Sequence, residues 1–187
     1  RQRQMCIRDR GIPIIECADY LETSPLGRAE WIKFFGLLYG KEVEADSIFT
    51  EVEKNYTELR DKIDVLSSAP VVISELKSGS AWYMPGGKSY MARFFKDAGA
   101  AYPWSDNPET GSIPLSFETV FNRAGEADIW LIKSFNVSEL SYRTLQKEYA
   151  PYARFKAFRE KKIYGCDSSR CNYYEETPFR PDLLLQE

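Results

Sequence analysis

The stretch "EVEADSIFTEVEKNYTELRDKIDVL" (residues 42–66) decides how the rest of the chain can be arranged. Ile48, Val52, Tyr56, Leu59, Ile63 and Leu66 recur at steps of four and three. That period places them in one stripe on a helix of roughly six turns. Glu44, Glu51, Lys54, Glu58, Asp61 and Lys62 fall on the other faces and read as solvated. One helix of this length either packs within a single core or runs as a rigid strut along two lobes.

Upstream, "ETSPLGRAEWIKFFGLLYG" (22–40) predicts a second helix. Ser24 can cap it, Pro25 suits its first position and Gly40 ends it. Its apolar face is Ala29, Ile32, Phe35 and Leu38. "GIPIIECADYL" (11–21) reads as a strand.

Downstream of "SSAP" (67–70) the pattern alternates between strand and helix. "PVVISEL" (70–76) is β-rich, and "KSYMARFFKDAGA" (88–100) is helical. Between them "WYMPGGKS" (82–89) predicts a turn, with Trp82, Tyr83 and Met84 at the carboxyl end of a strand. Ligands bind there in open α/β sheets. The two glycines with Lys88 and Ser89 suggest a phosphate loop. However, the position five residues before Gly87 is Trp82, where that motif needs glycine. The pair reads instead as turn formers, and a nucleotide- or phosphate-binding enzyme domain using Gly86–Ser89 is the alternative reading. Further on, a loop spans 101–114 and Ser116 can cap a helix from Phe117 to Arg123. "DIWLI" (128–132) and "IYGC" (163–166) are strands, and 138–162 is helical with a break at Pro151. The alternation predicts an α/β fold with a central, mostly parallel sheet flanked by helices and preceded by the long helix.

Composition narrows the chemistry. Among 187 residues the net charge is −3, so there is no basic surface for nucleic acid. There is no histidine, which removes the commonest general base and metal ligand. Aromatics make up 14% of the chain, enough for either a tyrosine-rich core or an aromatic-lined cleft. No stretch approaches the roughly 20 apolar residues of a membrane span. Cys166 and Cys171 flank "DSSR"; a short-loop disulfide and two separate thiols both remain open. "RQRQMCIRDR" (1–10) reads as a leader foreign to the rest, and both ends read as cut.

The order of these features resembles the substrate-binding proteins of bacterial ABC importers for cobalamin, ferric siderophores and haem. In that class two lobes are joined by one rigid helix. The features that carry the resemblance are the long helix, "P-G-G-x-S-Y" (85–90), "PLSFETV…EADIWLI" (114–132) and "P-D-L-L-L" (181–185). The resemblance covers 11–187. It implies that 11–41 is a remnant of the N-terminal lobe, 42–66 the linking helix and 70–187 the C-terminal lobe. It also implies a non-enzymatic protein that holds a metal chelate in the cleft between lobes, with no cofactor of its own. The partners are then the permease subunits, and the location is the periplasm or, through a lipid anchor, the cell envelope. Glu118, in "Ser116-Phe117-Glu118-Thr119-Val120", matches the family's permease-docking glutamate. The other reading is a glutamate favoured in a first turn by the helix dipole alone. The resemblance places Trp82, Tyr83, Trp104, Tyr173, Tyr174 and Arg180 around the ligand. Rigid aromatics would cover its apolar faces and arginine would read its carboxylates.

Overall fold

The computed structural model describes residues 11, 13–63, 69–135 and 140–187. The leader 1–10, Leu66 and the start of the 138–162 segment lie outside the described residues.

Helix α1 (Pro25–Tyr39) begins as the sequence predicts. Ser24 Oγ accepts from the Gly27 amide at 3.3 Å, and Gly40 closes the helix at φ 63°. Helix α2 (Glu42–Ile63) follows at once. Gly36 lets the two helices approach closely, since a Cβ there would stand 2.5 Å from the Cβ of Ala45. This contact rotates the stripe in the first turns of α2. Ala45, Phe49, Val52 and Tyr56 are buried, while Ile48 is 43% exposed and Leu38 of α1 faces solvent. The predicted stripe is therefore met from Val52 to Ile63 and is one residue off before it. Leu59 and Ile63 pack further along, against Phe94 and Leu185.

The predicted strand at 11–21 does not form. Residues 13–18 have no regular structure and Asp19–Leu21 is a turn of 3-10 helix. No described strand runs beside this segment, so its backbone has no ladder to join. Side chains tie it to α1 instead: Arg28 donates to Asp19 at 3.1 Å and Trp31 Nε1 to Glu22 at 3.1 Å.

Two three-stranded sheets follow. The first is parallel: β1 (Val72–Ser74), β5 (Ile129–Ser134) and β6 (Ile163–Asp167), in the order β1-β5-β6. The second is antiparallel and smaller: β2 (Lys77–Ser78), β3 (Ala81–Pro85) and β4 (Ser112–Leu115). The turn expected at 82–84 is thus a strand. Gly79, at φ 59°, reverses the chain after β2 and sends it back as β3. Helices α3 (Tyr90–Asp97), α4 (Phe117–Ala124), α5 (Tyr142–Glu148), α6 (Lys156–Arg159), α7 (Tyr173–Glu176) and α8 (Pro181–Gln186) complete the α/β fold. Pro151 lies in a 3-10 segment, Ala150–Arg154, between α5 and α6.

Much of the aromatic content is core. Trp82 and Trp130 pack at 5.4 Å between centroids, with Tyr152 and Phe155 edge-on or tilted around them. This cluster joins the two sheets. Tyr152 Oη accepts from the Lys77 amide at 3.0 Å, so its polar end is satisfied. No helix among the described residues is long and apolar enough to cross a membrane.

Candidate binding site

The carboxyl ends of β1, β5 and β6 converge on one edge. Glu75 follows β1 directly and holds a left-handed backbone, φ 65°, which is strained for a residue with a Cβ. Two buried indoles fix it there. Trp82 Nε1 donates to the Ser74 carbonyl at 3.0 Å, and Trp130 Nε1 to the Glu75 carbonyl at 2.9 Å. The Glu75 side chain meets Lys133 of β5 at 3.5 Å. The Lys133 ammonium in turn lies 5.3 Å from the Tyr173 ring centroid and 5.4 Å from that of Tyr174. Those two rings stand edge to face, 5.4 Å apart.

The electrostatics of this edge hold the lysine charged. Burial pulls the Lys133 pKa down most strongly, but Glu75 and the two tyrosines together push it above its ordinary value. The Tyr173 hydroxyl is pushed up to about 12, chiefly by burial. The edge therefore presents two aromatic faces beside a cation. Strained backbone held by surrounding structure is a mark of functional sites. Neither Glu75 nor Lys133 carries a sequence signal: both depend on strand ends meeting.

The other site residues fall in different surroundings. Trp82 is fully buried and Trp104 nearly so, both within the main core. Neither offers a face to a ligand; Trp82 acts from beneath, through its bond to Ser74. Tyr83, next along β3, points outward and is 49% exposed, and Tyr174 is 58% exposed. Arg180 is already engaged. Its guanidinium binds Asp182 at 3.0 and 2.9 Å and approaches Glu51 at 4.0 Å, so its bidentate face is filled by a carboxylate of the same chain. Glu118 is exposed in the first turn of α4, which Ser116 caps through the Thr119 amide at 3.1 Å.

The glycine pair does not form a phosphate cradle. The Gly86 amide donates to the Gly111 carbonyl at 2.7 Å, Lys88 to Glu109 at 3.0 Å and Ser89 to Gly86 at 3.0 Å. These amides are engaged within the protein. A Cβ on Gly86 would strike the carbonyls of Glu109 and Gly111, and one on Gly87 those of Trp104, Ser105 and Asn107. The glycines are needed because the 104–111 loop lies directly against them. A cavity of 690 Å³ opens beside this turn, bordered by Ser24, Lys88, Arg93, Lys96 and Tyr102. Among the described residues no three potential metal-ligating side chains come together.

Comparison with known proteins places the chain. Residues 8–169 match the model of a family described as periplasmic binding proteins. An uncharacterized lipoprotein of Methanocaldococcus jannaschii is 33% identical over 96% of this chain and 42% of its own length. A second lipoprotein of that organism is 26% identical over 84% of this chain and 41% of its own. The chain thus spans less than half the length of the curated relatives it matches. The periplasmic heme-binding protein RhuT from Roseiflexus sp. RS-1 has a TM-score of 0.72 at 19% identity, covering 98% of this chain and 70% of that one. An ABC-type Fe3+-hydroxamate transport protein from Saccharomonospora viridis has a TM-score of 0.74 at 13% identity, covering 96% and 61%.

Proposed function

Because the chain belongs to the periplasmic binding protein family, we propose that it is part of the substrate-binding component of an ABC importer, capturing a metal chelate and delivering it to a membrane permease. The observation that carries this reading is the Tyr173–Tyr174 pair braced by Lys133 at the carboxyl edge of the parallel sheet. A haem, corrin or ferric siderophore offers broad apolar faces edged with carboxylates or carbonyls. An exposed Tyr174 with the half-buried Tyr173 beside it suits the faces, and an ammonium suits the edge. Tyr83 is a further exposed aromatic for such a ligand. Trp82 and Trp104 support from the core, and Arg180 braces α8 rather than the ligand. The proposed role is binding, and it asks for no nucleophile, base or resident cofactor. Similarity in fold to proteins whose names specify heme and Fe3+-hydroxamate favours this ligand class. The location is extracytoplasmic, periplasmic or lipid-anchored at the envelope, and Glu118 is the docking residue for permease arginines.

Titration with haemin, cobalamin, a ferric hydroxamate and a ferric catecholate, followed by aromatic fluorescence quenching, tests the reading. One of them should bind saturably. Tyr173→Ala and Tyr174→Ala should each weaken it about 2- to 12-fold, the equivalent of ~0.5–1.5 kcal/mol per aromatic contact. Failure of all four to bind the folded protein would sink it.

A further inference from the structure

The end of β6 carries a pair of groups that the binding role leaves unused. Cys166 lies in β6, in register with Lys133 of β5. The chain then turns sharply. Asp167 Oδ1 accepts from the amide and hydroxyl of Ser169 at 2.9 and 2.6 Å. Its carbonyl accepts from the amides of Arg170 at 2.9 Å and Cys171 at 3.2 Å. The turn returns Cys171 to the strand end. Its Sγ donates to the Asp167 carbonyl at 3.4 Å, one residue beyond Cys166. Cys171 is exposed and Cys166 half-buried. Tyr173, which begins α7, follows two residues later.

We propose that Cys166 and Cys171 form an oxidation site, whose disulfide closes the 166–171 loop and fixes the Tyr173–Tyr174 wall of the binding edge. Two thiols at the ends of this tight turn need only a two-electron oxidant, and a small-molecule disulfide such as oxidised glutathione supplies it. The exposed Cys171 thiolate attacks one sulfur of that disulfide and releases one glutathione thiolate. Cys166, as its thiolate, then attacks the Cys171 sulfur of the mixed disulfide and releases the second. Two protein thiols and one disulfide become one protein disulfide and two thiols, so electrons and protons balance. The order follows from the surroundings. Burial, then the neighbouring Cys171, push the Cys166 thiol above its ordinary value, and the open cysteine reacts first. Such oxidants persist outside the cytoplasm, where the reading above puts the protein; the chemistry itself does not depend on that reading.

Trypsin makes the test direct. The chain is equilibrated at graded ratios of reduced to oxidised glutathione, its free thiols are alkylated, and it is digested without reduction. Cleavage after Lys162 and Arg170 puts Cys166 in peptide 163–170 and Cys171 in peptide 171–187. The expected product is those two peptides joined, two hydrogens lighter than their sum. Amide exchange across 171–177 should also slow on oxidation, and it should not in Cys171→Ser. Both peptides remaining alkylated under the most oxidising ratio would overturn the proposal, as would linkage of either to Cys17. A linked product with unchanged exchange would overturn the role assigned to the loop. No ligand is involved, so failure of chelate binding leaves this result readable.

Discussion

Gly87 shows how much a single residue can owe to a distant loop. Its backbone is not left-handed; what requires glycine is the set of carbonyls from Trp104, Ser105 and Asn107 packed over it. Gly87→Ala should therefore cost about 1–3 kcal/mol, as overpacking does. Urea unfolding monitored by circular dichroism measures it, and a loss below a few tenths of a kcal/mol would contradict the contact. Trp82 belongs to the same lesson. An indole in a glycine-rich turn reads as a ligand platform, yet here it is a buried clamp on the backbone of Ser74.

Among the elements, α2 is held at several points along its length. Tyr56 Oη donates to Asp97 of α3 at 3.0 Å, and Asn55 Nδ2 to Asp182 of α8 at 3.3 Å. Asp182 is buried. Burial alone would raise its pKa; the Arg180 and Asn55 hydrogen bonds outweigh that and hold it below the ordinary carboxylate value. A depressed folded pKa gives stability that is present above the unfolded value of about 4. It is lost as pH falls through the lower folded value. Asp182→Asn should reduce stability at pH 7 by about 1.5–3 kcal/mol, the scale of a hydrogen bond to a charged group. It should also flatten the decline below pH 4, and denaturant unfolding at pH 7 and pH 3 checks both signs.

At the scale of the whole molecule, the parallel sheet carries Lys133 at its carboxyl edge beside Tyr173 and Tyr174, where chelate binding is proposed, while Glu118 stands exposed on α4. If the two surfaces serve separate tasks, they should respond separately. Glu118→Arg should leave chelate affinity unchanged. It should reduce stimulation of the reconstituted importer's ATPase more than about tenfold, since like charges placed together cost several kcal/mol. A parallel loss of chelate affinity would show that Glu118 does not act at a distinct docking surface.

Local rules determined the helices and their ends. Ser24 and Ser116 cap where their positions before amphipathic runs predict, because capping depends only on neighbouring amides. The parallel strands at 72–74, 129–134 and 163–167 were likewise legible as short β-rich runs between helices. The family resemblance followed from the order of these elements, and the family match bears it out. Tertiary structure decided the rest. The stripe of α2 shifted at its start because Gly36 of α1 set the approach. Segment 11–21 formed no strand because a strand needs a partner beside it. Trp82 and Trp104 are taken up by the core and Arg180 by the Asp182 carboxylate, while Glu75 and Lys133 meet because two strand ends do. Contacts between residues far apart in sequence have no local periodicity, so they became visible only once the sheets were paired.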